Sequence, residues 1–493
     1  MLRALSERPL RLPYLKPYVP DPDDPAIFWF NSERRDIVRE VVERVMRAHA
    51  GDHQTLEVAL NDAALNEIRR LASQRDSETD AHLGEWRALI RRIARMSDDE
   101  KRQALHRIIE GYARDVAGNF DPRVYQFARR VVPKLLTGVM RPSRLLPDLL
   151  GVKSYVHRLI TVEGEVDLLR HLHPQGTLIY VPTHASNLDS IALAEALEMS
   201  GLPPVIYGAG KNLFTNPIIS FFMHNLGAYR VDRRIHTALY KSVLKTYSCV
   251  MIERGYHSLF FPGGTRSRSG MIERHLKLGL AGSALEAFAR NQVKGIRRPV
   301  WFVPTTINYA LVLEAETLVE DWLTEEGRGR YIIEDDEFSQ IDRWFAFFRR
   351  LVGLAGACVI RFGRPLDPYG NEVDDQGRSL SPRGKPLDPA SYVCRGGRPS
   401  VDAARDSAYT RELGEELVER YHRESVIMST HIVAHVLFRH LVRNTPGIDL
   451  FTRLRMRGET SMPREDLLRE VGQVRDRLIG LEQAGRVHVS PFI

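Results

Sequence analysis

Apolar positions recur at helical spacing through the first third of the chain. Ile37, Val41, Val42 and Val45 share one face of a segment whose other face is charged, which predicts a helix. A second such stretch runs from Val124 to Met140, where Phe127, Val131, Leu135 and Val139 alternate with Arg129, Arg130 and Lys134. The residues ahead of these helices are rich in Pro and Asp, as in Pro17–Pro25, and read as an extended arm. From about residue 151 the texture changes. Short apolar runs at Gly176–Pro182, Pro203–Tyr207, Ser258–Pro262 and Val300–Pro304 alternate with helical segments, the pattern of an α/β domain. A stretch rich in Gly, Pro, Asp and Arg then reads as a loop or insertion. Helical periodicity returns after Asp402. Met462–Glu470 and Val474–Glu482 read as two helices, and Gly485–Ser490 as a short strand. The predicted division is an arm over 1–30, a helical domain over 31–150, an α/β domain over 151–365, a loop over 366–400 and a helical region over 401–493.

Composition narrows the class. At 493 residues, 43% apolar and 27% charged, the chain is expected to fold around a real core. Its formal net charge of +7 suits phosphates, anionic lipid or an acidic carrier protein, and is compatible with nucleic acid too. Cys249, Cys358 and Cys394 have no metal-type spacing and read as free thiols of a reducing compartment. Arg3, Glu7, Arg8 and Arg11, without an apolar core between them, do not make a secretory signal. The best apolar run, Pro299–Leu313, is shorter than the ~18 residues of a spanning helix and contains Thr305, Thr306 and Asn308. Any membrane contact is therefore expected to be peripheral.

Four blocks carry candidate chemistry. In the first, Thr183-His184-Ala-Ser-Asn-Leu-Asp189-Ser190, a histidine at a strand exit precedes a carboxylate across a tight turn. Such a carboxylate fixes the imidazole tautomer and leaves the other nitrogen as a base. Ser186 or Asn187 is the candidate N-cap of the following helix. Alone, the spacing equally describes a surface histidine beside a helix-start aspartate. The second block is Gly227-Ala-Tyr-Arg-Val-Asp-Arg233, running on to Arg234. The third is Phe261-Pro-Gly-Gly-Thr-Arg266-Ser-Arg268-Ser-Gly270, with Lys277 and Gly279 just after. Glycines interleaved with hydroxyls and arginines make an anion cradle, or a turn bearing solvated charges. The fourth, Val303-Pro304-Thr-Thr-Ile-Asn-Tyr309, is a strand end that walls a pocket or a plain buried strand.

Taken together and in this order, the blocks resemble the glycerolipid acyltransferase superfamily, whose pattern is His-x4-Asp, Gly-x-x-Phe-x-x-Arg, Phe-Pro-Glu-Gly-Thr-Arg-Ser and a Pro-containing strand. The likeness covers roughly residues 175–310. The chain length, Asn119–Arg130 and Arg423–His431 look more like the glycerol-3-phosphate acyltransferase branch. The resemblance implies an α/β acyltransferase domain with a mixed sheet flanked by helices. It makes His184 the catalytic base and Asp189 its orienting partner. Arg233, Gly264, Thr265, Arg266, Arg268 and Lys277 become the candidate phosphate ligands, and Pro304 a pocket wall. Two positions depart from the pattern: Gly263 replaces a glutamate that helps shape the acceptor site, and Arg230 stands where an aromatic residue is usual. The implied partners are an acyl-CoA or acyl-carrier-protein thioester, glycerol 3-phosphate and an anionic membrane surface at the cytoplasmic face. No metal or other cofactor is implied. Lysophosphatidate and dihydroxyacetone phosphate are alternative acceptors, and a non-catalytic lipid-binding protein is the alternative of another class.

Other signals carry less. His431 and His435 share a helix face but lack the glutamate of a zinc protease motif, so helix packing is the expectation. Gly208-Ala-Gly-Lys-Asn212 lacks phosphate-loop spacing and reads as an edge of the fold. No nucleic-acid recognition motif is present. For the membrane, Phe214–Met223, Arg129–Arg144 and Trp344–Val352 compete, and the last is favoured because aromatics and arginines adjoin there.

Overall fold

A computed structural model describes residues 18–72, 77–140, 160–186, 188–214, 217–267, 270–312, 358–449, 453 and 461–491. Residues 18–25 lack helix or strand and lead through a 3-10 turn into helix α1, Phe30–His49. Its predicted stripe is buried, with Ile37, Val41 and Val45 each 0% exposed. Helices α2 (His53–Ala72), α3 (Ser77–Ile93), α4 (Asp98–Val116) and α5 (Pro122–Met140) follow. A capping box starts α4: Ser97 Oγ accepts the Glu100 N–H, and Glu100 Oε2 accepts the Ser97 N–H.

The alternation after residue 160 builds a seven-stranded mixed sheet. In chain order its elements are β1 (Ile160–Gly164), α6 (Val166–Leu172), β2 (Thr177–Pro182), α7 (Asp189–Met199), β3 (Ile206–Gly210), α8 (Pro217–Asn225), β4 (Ala228–Val231), α9 (Ala238–Glu253), β5 (Ser258–Leu259), α10 (Gly279–Val293), β6 (Val300–Tyr309) and β7 (Cys358–Phe362). The spatial order is β1-β7-β6-β2-β5-β3-β4, with β6 and β7 antiparallel and the other pairs parallel. Strand β2 is buried on both faces, as a central parallel strand must be. Leu178 and Tyr180 enter the core under α6 and α7, while Ile179 and Val181 enter the core shared with α9 and α10.

The run predicted at Pro203 enters the sheet only at Ile206, and Gly208–Gly210 forms the C-terminal part of β3. Gly208 lets Tyr229 approach closely, since a Cβ there would lie 3.0 Å from its ring. The run from Ser258 pairs for two residues and then leaves the sheet at a proline and paired glycines.

Beyond the sheet, Leu366 exchanges two 2.8 Å backbone hydrogen bonds with Phe302 of β6. Two-residue ladders follow: β8 (Ser379–Leu380) with β9 (Pro386–Leu387), and β10 (Cys394–Arg395) with β11 (Arg398–Pro399). Helix α11 (Ala403–Glu424) begins at Asp402, whose carboxylate accepts the Ala404 and Arg405 N–H groups. After β12 (Val426–Ile427) come α12 (Ser429–Asn444), α13 (Arg464–Gln483) and β13 (His488–Val489), which pairs with β12. The two helices expected over 462–482 are one, α13. Gly472 lies inside it; one glycine costs a helix only about 1 kcal/mol and does not end it.

The N-terminal helices have their core in common with the sheet domain. Residues of α1, α2 and α4 pack with Ile206 of β3, Tyr229 of β4 and Tyr240, Val243, Tyr247 and Val250 of α9 in one cluster.

Candidate active site

Strand β2 ends at Pro182, and a turn carries His184 from the sheet to the first residue of α7, Asp189. The turn is built by the Asp189 carboxylate. Its Oδ2 accepts the His184 Nδ1–H at 2.7 Å, the Ala185 N–H at 2.7 Å and the Ser186 N–H at 3.0 Å. Its Oδ1 accepts the Tyr309 hydroxyl at 2.8 Å. Ser186 accepts the Leu188 N–H and does not cap the helix; the N-cap position is Leu188, and Asn187 lies outside the described residues.

This arrangement fixes the chemistry of the imidazole. A carboxylate can only accept, so Nδ1 carries the proton and Nε2 is the basic nitrogen. The Asp189 side chain is 0% exposed and that of His184 14%, which leaves an edge of the ring open. Phe261, from the third block, stacks on the imidazole with centroids 4.1 Å apart.

The third block is tied directly to the histidine, since Ser267 N–H donates to the His184 carbonyl at 2.7 Å. Gly264 has φ +77°, a conformation that favours glycine, and its missing side chain leaves room for Lys277, whose Nζ would lie 2.8 Å from a Cβ there. The Lys277 N–H also donates to the Pro262 carbonyl at 2.7 Å. Thr265 is exposed and Arg266 half-buried in the same turn, while Arg268 lies outside the described residues. Strand β5, which feeds this block, is the direct neighbour of β2.

The second block is placed differently. Arg233 is exposed on the turn after β4, the edge strand. That edge is three strands from β2, roughly 14 Å at ~4.8 Å per strand. Around it lies a charged group: Lys211 meets Asp115 at 2.9 Å, and Arg234 chelates Asp232 through Nε and Nη2, each at 3.1 Å. Burial pushes the Asp232 carboxyl upward, but Arg234 and Lys211 bring it below the ordinary carboxylate range. Arg230, the departure from the family pattern, stacks on Phe214 at 5.0 Å and faces Asp115 at 3.5 Å.

In the fourth block Pro304 is buried in β6 opposite Val181. The polar contact to the dyad comes instead from Tyr309, at the end of the strand, a residue whose role the sequence does not reveal. The Tyr309 carbonyl accepts the Nε2–H of His431 at 3.0 Å, while His431 Nδ1 accepts the Met428 N–H at 3.3 Å. His431 thus anchors α12 to β6. Among the described residues no group of three or more His, Cys, Asp or Glu side chains could hold a metal ion.

Residues 160–308 match the family model described as Acyltransferase. The glycerol-3-phosphate acyltransferase of Haemophilus ducreyi is 30% identical over 204 residues, 41% of this chain and 24% of that one. The protein of the same name from Pseudomonas paraeruginosa is 27% identical over 282 residues, 56% of this chain and 29% of the relative. The chain thus spans about a quarter of the length of the curated relatives it matches. The solved 1-acyl-sn-glycerophosphate (LPA) acyltransferase PlsC of Thermotoga maritima is 16% identical and covers 60% of this chain and 81% of its own. The TM-score between the two is 0.26. Residues 160–308, which hold β1 to β5 and nearly all of β6, thus match an acyltransferase domain, and the curated relatives similar to this chain are named glycerol-3-phosphate acyltransferase.

Proposed function

We propose that the chain transfers a fatty acyl group from a thioester, acyl-CoA or acyl-carrier protein, to the sn-1 hydroxyl of glycerol 3-phosphate. The observation that carries the reading is the His184–Asp189 pair, with Nδ1 committed to the carboxylate and Nε2 left as the base. His184 Nε2 takes the hydroxyl proton as the alcohol oxygen attacks the thioester carbonyl. The tetrahedral oxyanion then collapses, the C–S bond breaks, and the thiolate leaves and takes the proton back from the imidazolium. All groups that move are those of the dyad and the two substrates, so the step calls on no resident cofactor. Arg266 and Lys277, beside the histidine's turn, would hold the phosphate, and positioning would supply much of the rate.

The test is a thiol-release assay on the purified chain, crossing acyl-CoA and acyl-carrier protein with glycerol 3-phosphate, dihydroxyacetone phosphate and lysophosphatidate. Transfer that favours glycerol 3-phosphate and disappears in a folded His184→Ala variant is expected; full turnover in that variant would falsify the reading.

The same proposal places the reaction at a membrane surface, on the cytoplasmic face. No helix among the described residues is long and apolar enough to cross a membrane. Trp344–Val352 lies outside the described residues. Of the other two segments, Arg129–Arg144 opens in α5 with exposed Arg129 and Arg130, just after Phe127, which is 53% exposed. Sedimentation with anionic vesicles at low salt, with release at high salt, is expected; indifference to such vesicles would refute surface binding.

A further inference from the structure

Gly263 and Glu273 compete for one space. A Cβ built on Gly263 would lie 2.4 Å from Oε1 of Glu273 and 2.8 Å from its Cδ. Gly264 needs to be glycine for its positive φ, but Gly263 has no such backbone conformation. What a side chain at 263 would meet is the carboxylate of residue 273, which would have to move to admit it.

That carboxylate is held in place. Ile272 and Leu276, on either side of it, pack against the core beneath α10 and α11. Its loop is stitched to the third block by the Ser267 hydroxyl, which donates to the Met271 carbonyl at 2.8 Å, and by the Lys277 N–H on Pro262. Glu273 Oε1 is nevertheless buried without a hydrogen-bond partner. Burial, the first cause, raises the Glu273 carboxyl above the ordinary range; His184 opposes the shift and Asp189 adds to it, so the group lies within electrostatic reach of the dyad. A buried acceptor left unsatisfied in a well-packed loop is costly unless something else supplies the donor.

We propose that Glu273 receives the hydroxyl of the acceptor that is not acylated, taking the position that a side chain at residue 263 would otherwise fill. The inference rests on the reading of the site as a polyol-phosphate acyltransferase. A carboxylate accepts and repels a phosphate, so Glu273 marks the hydroxyl end of the acceptor, and Lys277, over Gly264, marks the phosphate end. Glycerol 3-phosphate brings a second hydroxyl to this acceptor. Dihydroxyacetone phosphate brings a carbonyl oxygen in its place, and lysophosphatidate has its other hydroxyl already esterified. Glu273 is thus a specificity determinant for a free vicinal diol.

The experiment compares glycerol 3-phosphate with propane-1,3-diol monophosphate, which lacks the middle hydroxyl, at one acyl-CoA concentration on the full chain. The wild-type chain is expected to favour glycerol 3-phosphate roughly 10- to 100-fold in kcat/KM, the size of a hydrogen bond to a charged group. Glu273→Ala should narrow that preference to within about threefold, with the thioester KM unchanged. It should also melt at or above the wild-type temperature without acceptor, because a merely structural residue would lower it. Gly263→Glu alone should be impaired by two carboxylates in one space, and Gly263→Glu with Glu273→Ala should regain part of the preference. A Glu273→Ala chain that loses both acceptors equally, keeps the full preference, or melts lower overturns the proposal. Loss of transfer in His184→Ala alongside an unchanged preference in Glu273→Ala would remove this inference alone. Transfer surviving His184→Ala, or no transfer by the wild-type chain to either acceptor, would remove the reading beneath it as well.

Discussion

Asp189 shows how much of this site depends on single contacts. Three donors converge on its Oδ2, and the Tyr309 hydroxyl meets Oδ1. Tyr309→Phe removes the last of these without disturbing the turn, which is held from the other oxygen. A fall in kcat of roughly 3- to 10-fold is expected, with both KM values near wild type and an unchanged melt. A kcat equal to wild type would show that the turn alone orients the carboxylate. Among the cations, Arg266 is covalently next to Ser267, whose N–H binds the His184 carbonyl, while Arg233 follows the distant edge strand. Arg266→Ala should therefore cost about 2–3 kcal/mol in acceptor kcat/KM, roughly 30- to 150-fold, and Arg233→Ala clearly less. Equal losses would bring the two blocks together in the bound state. His184 and Asp189 were legible in the sequence because a five-residue offset closes their hydrogen bond locally. Tyr309 was not, because 120 positions separate it from Asp189. The departure at Gly263 was visible in the sequence, but nothing in it pointed to Glu273 as the residue that lies against it.

Elements were legible where one physical requirement dominated. Strand β2 and the first half of β6 are buried on both faces, and they stood out as apolar runs. Strand β7 follows β6 after a long interval and pairs with it antiparallel, and no local pattern announces that partner. Helix α1 was legible from its stripe, but its polar face hides a second attachment. Arg44 reaches Glu253 of α9, which is only 5% exposed, and Lys294 meets the same carboxylate at 2.6 Å. Burial pushes the Glu253 carboxyl upward, yet Arg44 and Lys294 hold it below its ordinary range. Arg44→Met would strand most of that charge against the core. A loss of about 3 kcal/mol in urea unfolding is expected, at the low end for a broken buried pair because Lys294 remains. A change below about 1 kcal/mol would class the contact with ordinary surface pairs.

At the scale of the molecule, acid should be felt through the sheet. His257, just ahead of β5, accepts the Leu178 N–H of β2 on Nδ1 at 3.0 Å. Burial, with His173 and Arg298 nearby, pushes its pKa down from 6.5 to about 3. Because the unfolded chain binds this proton first, the contribution of His257 is fully present above pH 6.5. It is lost at up to about 1.4 kcal/mol per pH unit as pH falls from 6.5 toward 3. His257→Asn, which can still accept from Leu178, should flatten the acid limb of a stability–pH curve by up to one proton. An unaltered limb would place the titration elsewhere, for example at His224, which burial and then Arg230 and Arg34 lower to about 4.

The cluster that joins α1, α2 and α4 to β3, β4 and α9 also bears on how this protein can be cut and recombined. The family match opens at Ile160, so that match alone would mark residue 160 as the start of a portable module. A chain begun there would keep His184, Asp189 and the whole sheet, but would bare Ile206, Tyr229, Tyr240, Val243, Tyr247 and Val250 to water. Grafted onto another protein, that fragment would bring an adhesive face and clump. The unit that can be swapped or expressed intact reaches back at least to Ile27, well upstream of where the family match begins.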